Sequence, residues 1–228
     1  MEGSLMQGNV VARIAFDLDG TLIDSVADIH AAVADVLQDN GIEPLDLPTI
    51  LSFVGNGLPH LMYLVVERLG LDMDRHAALS QSVLDRYNQH ATSHTRLYPG
   101  VRGALEQLAS AGHSLGVCTN KPEEPARSVV QHLDLGPFEC IVGGDTFPER
   151  KPQPGPLKAT FAALKGGPML FVGDSEVDAE TAQRAQVPFL LYTEGYRKTA
   201  VSEIPHHAAF SHFDQLPSCV LDCLSPRQ

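Results

Sequence analysis

The chain alternates short apolar runs with amphipathic segments, and this alternation restricts the possible folds more than any other feature. Strands that alternate with helices form a parallel sheet wound by helices on both faces. Continuous apolar runs fit strands that are buried on both sides. We therefore predict an α/β protein with a doubly wound, Rossmann-like parallel sheet. The apolar runs are Val10–Phe16, His113–Thr119, Cys140–Gly143, Met169–Val172 and Phe189–Tyr192. The amphipathic segments are Val101–Ser110, Pro125–Leu135, Leu157–Leu164 and Asp178–Ala185.

One long segment interrupts the alternation directly after the first predicted strand. From Val26 to His94, apolar residues recur at helical spacing and no strand pattern appears. Glycine and proline residues divide this segment, most densely at residues 55–57. We predict that residues 1–24 and 95–228 form an α/β core domain, and that residues 25–94 form an α-helical domain inserted into it.

The composition is acidic, and this limits the partners of the protein. The 228 residues include 16 basic and 28 acidic side chains, which give a formal net charge of −12. Nucleic acids and anionic membranes bind clustered Lys and Arg residues, so we expect neither as a partner. No apolar run approaches the roughly 20 residues that cross a bilayer. The first ten residues contain no basic cluster of the kind that begins a secretory signal. We expect a cytoplasmic protein, either a monomer or a homodimer.

Polar residues follow the apolar runs, at or just beyond the ends of the predicted strands. Ligands bind at the carboxyl ends of the strands in doubly wound sheets, so we expect these residues to share one site. Carboxylates that lie close together repel one another unless a cation joins them. Asp17, Asp19 and Asp174 offer hard oxygen ligands, which favour Mg²⁺. Together with a lysine and a threonine hydroxyl, Mg²⁺ makes a phosphate site. The residues at the ends of the runs are Asp17, Asp19, Thr119, Asn120, Asp145, Lys151, Asp174, Ser175 and Asp178.

The D-x-D-G pattern that begins at Asp17 also occurs in calcium-binding loops. Such a loop needs Gly at its sixth position and Glu at its twelfth. Here these positions hold Leu22 and Asp28. The pattern therefore argues against a calcium loop. We expect Gly20 to turn the chain so that both acids face a metal and a phosphate.

Four motifs, in order along the chain, resemble those of the haloacid dehalogenase superfamily of phosphohydrolases. They are DLDGTLIDS at 17–25, TN at 119–120, KPQP at 151–154 and GDSEVD at 173–178. The resemblance covers essentially the whole chain. The inserted helical segment matches the cap domain of that superfamily in type and position.

Within the superfamily, the chain most resembles bacterial phosphoglycolate phosphatases. This resemblance implies a Mg²⁺-dependent phosphatase that acts on a small phosphorylated metabolite. The implied reaction is hydrolysis of 2-phosphoglycolate to glycolate and phosphate. The stretches that carry it are FVGNG at 53–57, CTNKP at 118–122, GGD at 143–145 with KPQPGPL at 151–157, and MLFVGDS at 169–175.

The resemblance also implies a role for each residue of the site. Asp17 would be the nucleophile that forms an aspartyl-phosphate, and Asp19 would be the general acid and base. The carboxylates of Asp17 and Asp174 and the backbone carbonyl of Asp19 would bind Mg²⁺. Asp178, with Ser175 beside it, would lie behind the metal or steady the lysine of the third motif. The implied substrate-binding residues are Thr119, Asn120 and Lys151 in the core and Gly55, Asn56 and Gly57 in the cap.

Four other activities compete with this interpretation. A dehalogenase does not need the second acid, so Asp19 favours phosphoryl transfer. A phosphonate-cleaving relative needs a lysine in its cap, and no lysine precedes Lys121. A β-phosphoglucomutase-like enzyme acting on a sugar phosphate shares all four motifs and is the nearest alternative. A signalling phosphoacceptor domain also places acids, Thr and Lys at the ends of a parallel sheet, but it lacks the helical insertion.

Overall fold

The computed structural model describes residues 10–90 and 92–225 of the chain. The N-terminal segment 1–9, on which the expectation of a cytoplasmic protein partly rests, lies outside the described residues. The strands are β1 (Arg13–Phe16), β2 (Ile23–Asp24), β3 (Arg96–Leu97), β4 (Ser114–Cys118), β5 (Cys140–Val142), β6 (Met169–Gly173), β7 (Phe189–Tyr192) and β8 (Ala208–Phe210). The α-helices are α1 (Val26–Asp39), α2 (Leu47–Phe53), α3 (Leu58–Arg68), α4 (His76–His90), α5 (Val101–Ser110), α6 (Glu123–His132), α7 (Gly155–Ala163), α8 (Glu176–Ala185) and α9 (Leu216–Leu224).

A parallel sheet with the strand order β5-β4-β1-β6-β7-β8 forms the centre of the protein. The chain begins in its middle at β1, adds β4 and β5 on one side, and then crosses over to add β6, β7 and β8 on the other. This reversal beside β1 is where ligands bind in such sheets. The sheet confirms the predicted α/β fold class and contains every predicted strand. Strand β8 was missed, because three residues of mixed exposure carry little pattern.

Alternate residues of β1 pack against opposite faces of the sheet, as the twofold period of a strand requires. Ile14 and Phe16 belong to the apolar cluster on one face, to which α5, α6 and α9 contribute. Ala15 belongs to the cluster on the other face, with α7 and α8. All three side chains are fully buried. The sheet is therefore covered by helices on both faces, as predicted.

Helices α1 to α4 follow one another between β2 and β3 and pack together, with α1 alongside α4. Ile29 and Val33 of α1 belong to the same apolar cluster as Val83 of α4. Strands β2 and β3 pair in antiparallel fashion, so the chain leaves the sheet and returns to it at adjacent points. Helix α2 was not predicted, because a helix of seven residues shows too little periodicity. In the part of the chain that the structure describes, no helix has the length and apolar character needed to span a membrane.

His113 links the start of β4 to the start of β1. Its Nδ1 accepts a hydrogen bond from the backbone N–H of Ala12 at 3.0 Å, and burial lowers the pKa of His113. The unfolded chain therefore takes up this proton at a higher pH than the folded protein. The contribution of His113 to stability is complete above about pH 6.5, the ordinary pKa of histidine, and declines as the pH falls below it.

We expect His113→Asn to flatten the pH dependence of stability below about pH 6.5, because an amide oxygen accepts the same bond but does not titrate. The measurement is the free energy of urea unfolding for both proteins, from about pH 5 to about pH 7.5, the range that brackets histidine titration. The buried carboxylates titrate in both proteins, so their effect cancels in the difference. Parallel curves for the two proteins would contradict this assignment.

Candidate active site

The carboxyl ends of β4, β1 and β6 lie side by side and bring three predicted residues together. Asp17 follows β1, Thr119 follows β4 and Asp174 follows β6, and the strand register places them near one level. Each of the three is more than nine-tenths buried. At Gly20 the backbone φ is +87°, and a Cβ there would lie 2.5 Å from Oδ2 of Asp174. Glycine is therefore required for the turn that follows Asp17.

A cluster of buried carboxylates lies at this edge of the sheet. Oxygen atoms of Asp17, Asp174 and Asp178 lie within 4.8 Å of one another. Burial and the charge of Asp178 raise the pKa of Asp17 to about 7, against the lowering effect of Lys151. Burial and the charges of Asp178 and Asp17 also raise the pKa of Asp174. The ionised cluster needs more positive charge than Lys151 supplies, and its hard oxygen atoms fit a divalent metal ion.

Lys151 is almost completely buried between two of these carboxylates. Its Nζ lies 2.8 Å from Oδ1 of Asp17 and 2.6 Å from Oδ1 of Asp178. Burial disfavours the charged lysine, but the charges of Asp17 and Asp178 outweigh this effect and raise the pKa of Lys151 above its usual value. The other oxygen of Asp178 accepts hydrogen bonds from the backbone N–H groups of Asp174 and Ser175. Asp178 therefore contacts Lys151 directly and also belongs to the carboxylate cluster, so the two roles left open by the sequence are compatible.

The carboxylate of Asp19 does not belong to this cluster of the described residues; it faces a second lysine. Its two oxygens lie 3.0 and 3.2 Å from Nζ of Lys121, and Oδ1 accepts a hydrogen bond from the Ser25 hydroxyl at 2.5 Å. Lys121 also donates a hydrogen bond to the hydroxyl of Tyr87 on α4 at 2.6 Å. Neither Lys121 nor Tyr87 was predicted from the sequence to be a site residue. Lys121 directly follows Thr119-Asn120, which is a usable signal, whereas no pattern distinguishes Tyr87 from other apolar positions of α4.

Asn120 connects the inserted helices to the core. Its Nδ2 donates hydrogen bonds to the backbone carbonyls of Gly55 and Lys151, each at 3.0 Å. Its Oδ1 is buried and has no hydrogen-bond partner among the described residues. At Gly57 φ is +83°, and a Cβ would lie 2.9 Å from the backbone carbonyl of Asn120. The amide group of Asn120 therefore holds the glycine loop against the third motif.

A cleft lies between the inserted helices and the carboxyl edge of the sheet. Gly55 and Gly57 line it, whereas Asn56 lies between them in the loop and does not. The cleft is thus lined by Asp17, the nucleophile predicted from the sequence, and by the two glycines of the predicted cap loop. Its polar lining is Asp17, Asp19, Tyr87, Thr119, Asn120 and Lys121.

Tyr196, in the loop after β7, joins the carboxylate cluster to the first connection between sheet and helices. Its backbone N–H donates to Oδ2 of Asp174 at 2.6 Å, while the Thr21 hydroxyl donates to Oδ1 of the same carboxylate at 2.6 Å. The Tyr196 hydroxyl accepts from the backbone N–H groups of Ser25 and Val26 and donates to Asp24. Tyr196 therefore positions both Asp174 and the start of α1. The sequence did not predict this role for Tyr196.

We expect Tyr196→Phe to lower the free energy of unfolding by about 1–3 kcal/mol, because the Ser25 N–H loses its acceptor and the Val26 N–H keeps only the 3.4 Å bond to Asp24. The measurement is urea unfolding followed by circular dichroism. Tyr63→Phe is the matched control, since Tyr63 is 41% exposed on α3. Equal stabilities for the Tyr196 variant and the unmodified protein would show that water replaces the hydroxyl without loss.

A family model described as haloacid dehalogenase-like hydrolase matches residues 14–192. The matched span is more than half of the chain and contains every site residue that the sequence predicted.

Several relatives match the chain along nearly its whole length. The phosphoglycolate phosphatase of Cereibacter sphaeroides is 46% identical over 217 residues, which cover 93% of this chain and 99% of that protein. The phosphoglycolate phosphatase of Rhodobacter capsulatus is 43% identical over 210 residues, which cover 91% of this chain and 95% of that protein. A crystal structure from Haemophilus somnus, described as a predicted phosphoglycolate phosphatase, matches with a TM-score of 0.82 at 27% identity. That match covers 92% of this chain and 98% of the solved chain.

Proposed function

Because this chain belongs to the haloacid dehalogenase-like hydrolase family, and is a phosphoric monoester hydrolase, we propose that it hydrolyses 2-phosphoglycolate to glycolate and phosphate. The relatives that share 43–46% of its sequence bear the name of that activity. The observation that carries the proposal is the contact of buried Lys151 with Asp17 beside Asp174 and Asp178. This arrangement suits a carboxylate nucleophile and a phosphate held by a lysine.

Asp17 is the nucleophile in this proposal. Attack of its carboxylate on phosphorus forms an acyl phosphate and releases the alkoxide of glycolate, which divides one difficult displacement into two easier ones. Lys151, at 2.8 Å from Asp17, orients the carboxylate and offsets negative charge on the phosphoryl oxygens. The hydroxyl of Thr119, which lines the same cleft, provides a further hydrogen bond to those oxygens.

Asp19 is the general acid for the leaving alkoxide and then the general base for the attacking water. Its carboxylate lines the cleft and is held by Ser25 and Lys121, outside the carboxylate cluster of the described residues. This separation suits a group that moves protons rather than one that binds a metal through its side chain. In this proposal the backbone carbonyl of Asp19, rather than its carboxylate, would contribute to the metal site.

Mg²⁺ is the cofactor in this proposal. The carboxylates of Asp17 and Asp174 would hold it, with Asp178 behind them. Burial and neighbouring carboxylates raise the pKa values of Asp17 and Asp174, which supports a site for a positive ion. When bound, the ion reduces the repulsion between the nucleophile and the phosphate. Thr21 and Tyr196 orient both oxygens of Asp174 before any ion arrives.

The inserted residues 25–94 form a cap domain in this proposal, and residues 1–24 and 95–228 form the core. The paired strands β2 and β3 are the hinge, since both connections pass there. Closure brings the glycine loop over the substrate and separates the site from bulk water, apart from the one water molecule that Asp19 activates. The substrate is a small phosphorylated metabolite, and the enzyme acts as a monomer or a homodimer.

We expect phosphate release from 2-phosphoglycolate to stop after exhaustive chelation, to return with Mg²⁺, and to be inhibited by Ca²⁺. Ca²⁺ prefers more ligands and a looser geometry, which would misplace the nucleophile. The measurement is released phosphate over many turnovers, with a panel of sugar phosphates for comparison. Full activity after chelation would contradict the metal requirement. One stable acyl phosphate without repeated release would indicate a signalling phosphoacceptor, and isomerisation of a sugar phosphate would indicate a mutase.

A further inference from the structure

The wall of the cleft that the inserted helices form is mostly apolar. An isolated carboxylate in such surroundings is unfavourable unless a charged or hydrogen-bonding group pairs with it. In glycolate, the carbon that is bonded to the leaving oxygen also carries a carboxylate. A site for 2-phosphoglycolate therefore needs a charged or hydrogen-bonding group that pairs with this carboxylate. The apolar side chains that line the cleft are Ile29, Val54, Leu58, Leu61, Leu84, Pro122 and Pro125.

Lys121 is the one cation among the described residues that line this cleft. It is buried, and it contacts Asp19, the group that we propose to protonate the leaving oxygen. The other lysine of the site, Lys151, contacts the nucleophile Asp17 and does not line the cleft. Lys121 is therefore placed on the leaving-group side of the site, and Lys151 on the phosphate side.

Lys121 and Tyr87 present a positive charge and one unused hydroxyl proton to the cleft. The three N–H donors of the Lys121 ammonium group are directed at the two carboxylate oxygens of Asp19, at 3.0 and 3.2 Å, and at the Tyr87 hydroxyl, at 2.6 Å. The 3.2 Å contact is the longest of the three, so a substrate carboxylate would take that donor while Asp19 keeps the 3.0 Å bond. The Tyr87 hydroxyl accepts from Lys121, and its own proton has no acceptor in the described part of the chain. A charged group and an adjacent hydroxyl donor therefore lie beside the apolar side chains of the cleft.

We propose that Lys121 and Tyr87 together bind the carboxylate of the glycolate leaving group, and so select phosphate monoesters with an anionic leaving group. The proposal rests on the phosphatase function proposed above and identifies the part of the site that sets its specificity. Lys121 belongs to the loop after β4, and Tyr87 belongs to α4 of the inserted helices. A bound carboxylate would therefore connect the two parts of the protein across the cleft. The glycine loop, whose Gly55 carbonyl is occupied by Asn120, forms the cleft wall in this account.

The test compares 2-phosphoglycolate with 2-hydroxyethyl phosphate, which has a similar size and no carboxylate. We expect Lys121→Met to reduce the ratio of the two kcat/KM values by about 100-fold, as removal of one partner of a buried charge pair does. We expect Tyr87→Phe to reduce the ratio by about 10-fold through one lost hydrogen bond. Lys121→Arg should recover part of the ratio, because it keeps the charge. We expect hydrolysis of both substrates to become slower when Asp19 loses its contact with Lys121. Dividing one kcat/KM value by the other cancels this common effect.

Lys158→Met is the matched control, since Lys158 is exposed on α7 and lines neither opening of the site. A loss of the ratio in the Lys158 variant, or equal losses on both substrates in the Lys121 variant, would overturn the proposal. Calorimetric binding of 2-phosphoglycolate in an Asp17→Asn background separates this proposal from the proposed function. There we expect Lys121→Met to weaken binding at least about 10-fold, a tenfold change being about 1.4 kcal/mol. Unchanged binding overturns the role of Lys121 even if the enzyme hydrolyses 2-phosphoglycolate, and weakened binding supports it even if turnover is absent.

Discussion

Asp17→Asn is expected to abolish turnover without destabilising the protein. The amide has the shape of the carboxylate but cannot attack phosphorus, and loss of a nucleophile costs about 10⁴-fold or more in kcat. Asp17 is buried close to Asp178, and these surroundings raise the pKa of Asp17 to about 7. Removing that charge relieves repulsion while Lys151 keeps its contact with Asp178. We therefore expect the thermal midpoint to fall by no more than about 2 °C, or to rise, so that the lost stability is at most about 1 kcal/mol.

The measurements are phosphate release, labelling of the protein by radioactive substrate phosphate, and calorimetric unfolding. Asp222→Asn, at an exposed position of α9, is the matched control for loss of one carboxylate. The Asp17 variant should incorporate no label and the control should behave as the unmodified protein. Near-normal turnover in the Asp17 variant would eliminate the covalent mechanism, and a strongly lowered midpoint would show that the Asp17–Lys151 contact stabilises the fold.

Lys151→Met is expected to cause the largest loss of stability among single changes at the site. The substitution leaves Asp17 and Asp178 without their shared cation, and both carboxylates are buried. Breaking a buried pair by removing one partner costs about 3–5 kcal/mol, because the remaining charges are uncompensated. The measurement is the free energy of urea unfolding in the absence of divalent ions. Activity should be lost as well, since the phosphoryl oxygens lose a charged donor.

A second substitution tests the electrostatic cause of that loss. Lys151→Met combined with Asp178→Asn removes one of the two uncompensated carboxylates, so the double variant should be more stable than the single Lys151 variant. Mg²⁺ should also stabilise the single variant more than it stabilises the unmodified protein, because the ion replaces part of the missing charge. A double variant less stable than the single one would indicate that lost packing around the lysine stem, rather than charge, dominates.

Much of the fold and part of the site could be predicted from short-range patterns. The run before Asp174 is apolar throughout and the run before Asp17 is interrupted only by Arg13, which is typical of strands buried on both faces. Parallel strands place their carboxyl ends at one edge, so a polar residue at the end of each run is a site candidate wherever it lies in the chain. The weak elements, β8 and α2, were missed because three or seven residues carry too little periodicity to exceed chance.

The sequence by itself determined the parallel sheet, the helical insertion and the carboxylates at the strand ends, because each depends on local periodicity and on the order of elements. Only the tertiary structure decided which of these groups meet. Lys121 reaches Asp19 across 102 positions of the chain, and Tyr196 reaches Asp24 across 172. Tyr87 contacts Lys121 because α4 packs against α1 and faces the loop after β4. Contacts of this kind depend on how whole elements pack and on which side chain fills the space between them. Local patterns of apolar and polar residues therefore do not predict contacts between residues that are far apart in the chain.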